Sequence, residues 1–125
     1  MLIHGGAQNA HTWDTVAIAL DRPLVAIDLP GHGHSAAVAA GDHRAEALAA
    51  DVGMAIDELA YDASAVVGMS LGGMTAIVLA ATRPELVRRL VLVDITPGVD
   101  RDKANALGVG FDAMTNSGLP MAMPI

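Results

Sequence analysis

Short apolar runs alternate with longer segments of helical periodicity along most of the chain. The apolar runs lie at residues 2–3, 24–27, 65–69 and 90–93. Each is only a few residues long and is followed or bounded by turn-forming residues, which is typical of buried strands. Because the runs are apolar throughout and do not alternate with polar residues, the pattern predicts four strands of a parallel sheet.

Three segments between these runs have the spacing of amphipathic helices, at residues 13–20, 42–59 and 71–82. In the first, the apolar positions are Trp13, Val16, Ala17 and Leu20. Thr12 or Asp14 is the expected cap of this helix, and Pro84 sets the end of the third, because the residue before a proline resists the α conformation. The alternation predicts an α/β fold with a parallel sheet whose two faces are covered by helices.

Composition and charge narrow the classes of function. The 125 residues fit a single domain, and with aromatic residues at only 2% its core must be aliphatic. The net charge of −7, without a basic stripe, argues against nucleic acid as a partner. The chain has no cysteine, which excludes disulfides and thiolate chemistry. Neither a signal peptide nor a membrane span is evident, so we expect a cytoplasmic protein with no membrane partner.

The candidate for chemistry is Ser70, within the sequence Gly-Met-Ser-Leu-Gly-Gly at residues 68–73. This is a G-x-S-x-G motif between a predicted strand and a predicted helix, the context in which such a serine is a nucleophile. The turn must be so tight that the serine is strained and the residues two positions before and after it must be small. The competing interpretation is an ordinary strand-turn-helix junction.

An oxyanion hole is predicted beside this serine. The helix that begins at Leu71 directs its free N–H groups at Ser70, so the Leu71 N–H is one expected donor. The loop His4-Gly5-Gly6-Ala7 follows an adjacent strand and supplies a second donor from Gly6 or Ala7. Taken alone, this glycine loop fits a plain turn equally well, and its pairing with Ser70 favours the functional interpretation.

These motifs together resemble the α/β-hydrolase superfamily, in its serine-nucleophile branch. The resemblance covers residues 1 to about 98 and includes the loops at residues 28–35 and 92–97. It implies the family's strands three to six, in the spatial order four, three, five, six. Residues 1–98 would form a partial hydrolase core, and residues 99–125 the beginning of a lid or an irregular tail.

The resemblance also implies elements that this chain does not contain. The family has a β-hairpin before the first glycine loop and, after the lid, two more strands that are followed by the catalytic acid and histidine. All five histidines here, at positions 4, 11, 32, 34 and 43, precede Ser70. We therefore expect the fragment of a hydrolase, roughly its first half, that is inactive as this chain.

Other residues have competing interpretations. Asp94 ends the last predicted strand, where some relatives place the triad acid, and otherwise caps the turn that follows. His4 lies in a strand next to that of Ser70 and is considered as a substitute base, although the family uses this position to shape the oxyanion loop. His32 and His34 flank a glycine, but they lack a third ligand, so no metal site is predicted.

The predicted function is hydrolysis of an ester, thioester, amide or activated carbon–carbon bond through an acyl-enzyme on Ser70. A serine at the elbow argues against the branches that use an aspartate nucleophile, the dehalogenases and epoxide hydrolases. The alternative is a non-catalytic, hydrolase-like module that binds a ligand or partner. Neither function implies a cofactor. The expected partners are a small-molecule acyl substrate and further copies of the chain, paired through exposed sheet edges.

Overall fold

A computed structural model describes residues 1–36 and 42–95, and a four-stranded parallel sheet lies at their centre. The strands are β1 (Leu2–Ile3), β2 (Ala26–Ile27), β3 (Val66–Met69) and β4 (Leu90–Val93). Their order across the sheet is β2-β1-β3-β4, which confirms the predicted order. Ile3 pairs with Gly68, so the loops after β1 and β3 leave the sheet side by side.

Three α-helices connect the strands: α1 (Asp14–Leu20), α2 (Ala45–Leu59) and α3 (Leu71–Thr82). Short 3₁₀ turns precede α1 at Ala10–Trp13 and follow α3 at Pro84–Leu86. The helices therefore lie where the apolar spacing predicts them, and their first residues agree with the predicted starts within three positions.

The start of the first helical segment differs from the prediction. The side chain of Asn9 accepts a hydrogen bond from the His11 N–H and caps the 3₁₀ turn, in place of Thr12 or Asp14. Only Trp13 of the expected apolar face is buried, because Val16 and Leu20 are 39% and 47% exposed. The periodicity predicted this helix correctly, but it did not predict that most of the apolar face would be exposed.

The core lies where α2 and α3 pack on each other and α3 packs on β1, β3 and β4. Its buried side chains are almost all aliphatic, and the largest fully buried ones include Ile3, Leu29, Leu48, Val52, Ile56, Val66, Leu79 and Leu86. Each such side chain contributes on the order of 1.5–3 kcal/mol on burial. The core therefore holds α3, and with it the turn that precedes this helix, firmly against the sheet.

The outer strand β4 has one uncovered face. Its side chains alternate between half-buried and exposed, and Val91 and Val93 are 47% and 36% exposed. This differs from the expectation that both sheet faces are covered, at least within the described residues. No helix among them combines the length and apolarity needed to cross a bilayer. The predicted lid or tail at residues 99–125 lies outside the described residues.

Candidate active site

The turn from β3 to α3 places Ser70 at the carboxyl end of the sheet in a strained conformation. Its φ of 49° and ψ of −114° lie in a region that residues with a side chain rarely adopt. The backbone is held from both sides, because the Ser70 N–H donates to the Val93 carbonyl at 3.0 Å and the Ser70 carbonyl accepts from the Met74 N–H at 2.9 Å. The turn therefore has the geometry that its sequence predicts.

Glycines on either side of Ser70 let the chain make this turn. A Cβ on Gly68 would lie 2.5 Å from the Gly72 carbonyl oxygen, and a Cβ on Gly72 would lie 2.4 Å from the His4 carbonyl oxygen. Both distances are far below van der Waals contact, and the atoms that are met belong to the backbone. The two glycines therefore allow the elbow to pack directly on the end of β1.

Several N–H groups in the turn after Ser70 and in the loop after β1 have no hydrogen-bond partner among the described residues. The first intrahelical bond of α3 is that of Met74, so within the described residues the Leu71 N–H has no main-chain acceptor. The loop after β1 also passes close to the serine, since a Cβ placed on Gly5 would lie 3.3 Å from Ser70 Cβ. Neither Gly6 N–H nor Ala7 N–H is used in a hydrogen bond among the described residues. The predicted oxyanion donors are thus free to bind a ligand.

His4 is buried beneath this loop, and both of its ring nitrogens are engaged. Nδ1 donates to the Gly5 carbonyl at 2.7 Å, and Nε2 accepts from the Leu29 N–H at 2.9 Å. These partners require the neutral ring with its proton on Nδ1. Burial lowers the pKa of His4, more than the Gly5 carbonyl raises it. A ring with no free lone pair cannot take a proton from Ser70, so His4 shapes the loop and does not act as a base.

The Asp28 carboxylate joins the loops that follow β1 and β2. It accepts hydrogen bonds from the Ala10 N–H at 2.7 Å and the His34 N–H at 2.8 Å. These two N–H groups, His34 first, lower the pKa of Asp28. The carboxylate thus holds the C-terminal end of the glycine loop, at Ala10, against the loop after β2.

The remaining histidines lie in three different environments. His32 is buried, and its Nδ1 donates to the Pro30 carbonyl at 3.0 Å. His43 is also buried, with its ring edge-on to that of His32 at a centroid distance of 6.0 Å. His34 is exposed, and so is His11, whose ring lies 3.0 Å from the Asp14 carboxylate. Across residues 1–36 and 42–95, no three potential metal ligands come together in one site.

Comparison with known proteins identifies the family of this chain. The family model described as the alpha/beta hydrolase fold matches residues 1–116. This chain belongs to the alpha/beta hydrolase fold family. The four parallel strands described above are therefore a partial core of this fold.

Several hydrolases of this family are close in sequence or structure. Esterase Rv0045c of Mycobacterium tuberculosis is 55% identical over 97 residues, which are 78% of this chain and 33% of that protein. Its crystal structure superimposes with a TM-score of 0.78 at 51% identity, covering 84% of this chain and 37% of that one. A pimeloyl-[acyl-carrier protein] methyl ester esterase of Nitrosomonas europaea is 41% identical over 101 residues, 78% of this chain and 37% of that protein. The chain thus spans about a third of the length of these hydrolases.

The fold brings the predicted site residues to one edge of the sheet, but it engages them differently. Ser70, Leu71 and the loop with Gly6 and Ala7 meet at the carboxyl edge of the sheet. Asp94 directly follows β4 at the same edge, with a φ of 54°, but its side chain is exposed and makes no hydrogen bond within the described residues. Its role as triad acid stays a prediction.

Sequence reasoning missed one residue of this hydrolase loop. The Gln8 side chain turns back and accepts a hydrogen bond from the Gly5 N–H at 2.9 Å. At helix starts, the side chain of a glutamine commonly accepts a hydrogen bond from the backbone N–H three residues before it. The spacing of Gly5 and Gln8 was therefore a signal in the sequence. It was obscured because the glycines around it predict only a loop.

Proposed function

We propose that this chain provides the nucleophile and the oxyanion hole of a serine hydrolase that acts on esters. The observation that carries the proposal is the strained Ser70, whose φ is 49°, set beside N–H groups that have no partner within the described residues. Strain of this kind costs on the order of 1–3 kcal/mol and persists where function requires it. An ester is the proposed substrate class because both relatives compared above are named as esterases.

In the proposed reaction, Ser70 Oγ attacks the carbonyl carbon of the ester while a general base takes its proton. The carbonyl oxygen becomes an oxyanion, stabilised by the Leu71 N–H and by the N–H of Gly6 or Ala7. The intermediate expels the alcohol, which receives the proton, and leaves an acyl group on Ser70 that water then removes. Each oxyanion donor contributes roughly 10²–10³-fold to such a rate.

The general base in this proposal is a group other than His4. Both ring nitrogens of His4 are in hydrogen bonds, and burial lowers the pKa of this ring. Every histidine of the chain precedes Ser70. An external base can therefore take the place of this group in an experiment.

The placement of the histidines also favours a second function, a non-catalytic hydrolase-like module. Such a module would keep the elbow and the unpaired N–H groups as a binding site for a carboxylate or a carbonyl, without any turnover. The two functions differ in one measurable property, the reactivity of Ser70 Oγ.

The test is labelling of the 125-residue chain with a fluorophosphonate, with and without imidazole as an external base. Imidazole should accelerate labelling at least tenfold in the wild-type chain and should have no effect on Ser70→Ala. The matched control is Ser64→Ala, since Ser64 is exposed and makes no hydrogen bond within the described residues. Its labelling should equal that of the wild type.

The two outcomes separate the functions. Labelling that depends on Ser70 and rises with imidazole supports a hydrolase site in which imidazole takes the place of the base. A folded wild-type chain that stays unlabelled at every imidazole concentration would overturn the proposal and support the binding module.

A further inference from the structure

Both main-chain groups of Gly5, its N–H and its carbonyl, are held by hydrogen bonds in the loop after β1. Its N–H donates to Gln8 Oε1 at 2.9 Å. Its carbonyl accepts from His4 Nδ1 at 2.7 Å and from the Gln8 N–H at 3.3 Å. Gln8 thus holds both ends of Gly5, one with its side chain and one with its backbone.

These contacts decide where the next N–H points. A peptide bond is planar and trans, so the carbonyl of one residue and the N–H of the next point in opposite directions. No cis peptide is present among the described residues. Because the Gly5 carbonyl is held toward His4 and the Gln8 N–H, the Gly6 N–H must point to the other side of the loop. The Gly5 N–H already donates to Gln8, so it is not available to bind an oxyanion.

The held segment adjoins the nucleophile. A Cβ on Gly5 would lie 3.0 Å from Gln8 Oε1 and 3.3 Å from Ser70 Cβ, so the glutamine oxygen and the serine approach the same glycine. We propose that Gln8 is a positioning residue, which holds the Gly5 N–H with its side chain and the Gly5 carbonyl with its backbone N–H, so that the Gly6 N–H of the same peptide as that carbonyl serves as the oxyanion donor opposite Leu71. This inference rests on the proposed function. It assigns a role to Gln8, which is not part of the sequence motifs that predicted the site.

The first test measures the hydrogen bond itself by amide hydrogen exchange in the 125-residue chain. Gln8→Met keeps the length of the side chain and removes the acceptor, so the Gly5 amide should exchange about five- to tenfold faster. Gln8→Glu keeps a carboxylate oxygen as acceptor and should retain slow exchange. Thr12→Val is the matched control, because the exposed Thr12 side chain makes no hydrogen bond within the described residues.

The second test measures positioning through the imidazole-assisted labelling of Ser70. Gln8→Met should lower the maximal labelling rate on the order of tenfold, because a misplaced donor stabilises the oxyanion less. The probe concentration for half-maximal rate and the thermal midpoint should stay near those of wild type. A purely structural role would instead lower the midpoint and leave the maximal rate of the folded fraction unchanged.

Two results would overturn the inference: Gly5 exchange that is unaffected by Gln8→Met, or faster exchange with a maximal labelling rate within twofold of wild type. A wild-type chain that is not labelled at all contradicts the proposed function instead. In that case the exchange of Gly5 in Gln8→Met still decides whether this glutamine holds the loop.

Discussion

His4 Nε2 accepts a hydrogen bond of 2.9 Å from the Leu29 N–H, although the two residues are 25 positions apart in the chain. Both residues are fully buried. The bond connects the loop after β1 to the loop after β2, and the same ring donates to Gly5 next to the candidate oxyanion donors. The stability of the fold and the shape of the site therefore depend on one imidazole.

Replacing this ring should destabilise the protein strongly. His4→Phe fills the volume of the imidazole but leaves the buried Leu29 N–H without its acceptor. The Gly5 carbonyl also loses one of its two hydrogen-bond donors. We expect a loss of about 2–3 kcal/mol in the free energy of unfolding, measured by urea denaturation. His11→Phe is the control, because His11 is exposed and, among the residues that the structure describes, its ring pairs only with Asp14. An equal loss in both variants would contradict the role of the buried ring.

His4 should also make stability depend on pH. Burial lowers the pKa of His4 below its ordinary value of 6.5 in the folded protein, so near that pH the unfolded chain binds a proton that the folded chain does not. Stability should therefore be fully present above pH 6.5 and decrease as the pH falls from there toward the folded pKa. Urea denaturation between pH 8 and pH 5 measures this slope. His4→Phe should have a smaller slope, and an unchanged one would count against this assignment.

The lowered pKa of the Asp28 carboxylate should cause a second loss of stability at more acidic pH. Its pKa is held below 3.8 by the N–H groups of His34 and Ala10, so its stabilisation is present above pH 3.8 and is lost as the pH falls through the lower folded value. Asp28→Asn has one carbonyl oxygen where two oxygens accept now, and should cost on the order of 1–2 kcal/mol at neutral pH. Acid titration followed by circular dichroism should show a shallower loss in this variant. Identical acid transitions would refute the assignment.

Adding a methyl group at Gly72 should disrupt the elbow. The Cβ would lie 2.4 Å from the His4 carbonyl oxygen and 2.5 Å from that of Ile3, and neither backbone atom can move without shifting β1. We expect Gly72→Ala to lose about 3 kcal/mol or more, or its cooperative unfolding. Gly73→Ala is a graded control, since its nearest contacts would be 3.1 Å away. A Gly72→Ala variant as stable as Gly73→Ala would disprove the close approach.

Relieving the backbone strain at Ser70 should raise the free energy of unfolding. Glycine adopts a φ of 49° without penalty, so Ser70→Gly should raise the free energy of unfolding by about 1 kcal/mol after the greater entropy of the unfolded glycine is counted. Ser70→Ala keeps the Cβ and should stay within about 0.5 kcal/mol of wild type. Thermal and urea unfolding of the three proteins would check this. A destabilised Ser70→Gly would mean that the serine side chain stabilises the fold.

Much of the fold could be predicted because its signals are short-range. The runs at residues 65–69 and 90–93 and the motif around Ser70 each depend on residues within a few positions of one another. A G-x-S-x-G turn needs small neighbours two positions away, and the chain provides them locally. The strand order followed from the resemblance to hydrolases, since periodicity gives strands but not their neighbours.

The tertiary structure decided the properties that depend on packing between distant segments. The sequence by itself determined the elbow, the loop that faces it and the apolar strands, because backbone sterics and side-chain spacing act over a few residues. It did not determine that Val16 and Leu20 would be exposed, that both nitrogens of His4 would be engaged, or that Gln8 would hold Gly5. The burial of a side chain and the direction of a hydrogen bond depend on which surfaces meet when the chain folds, and only the assembled structure contains that information.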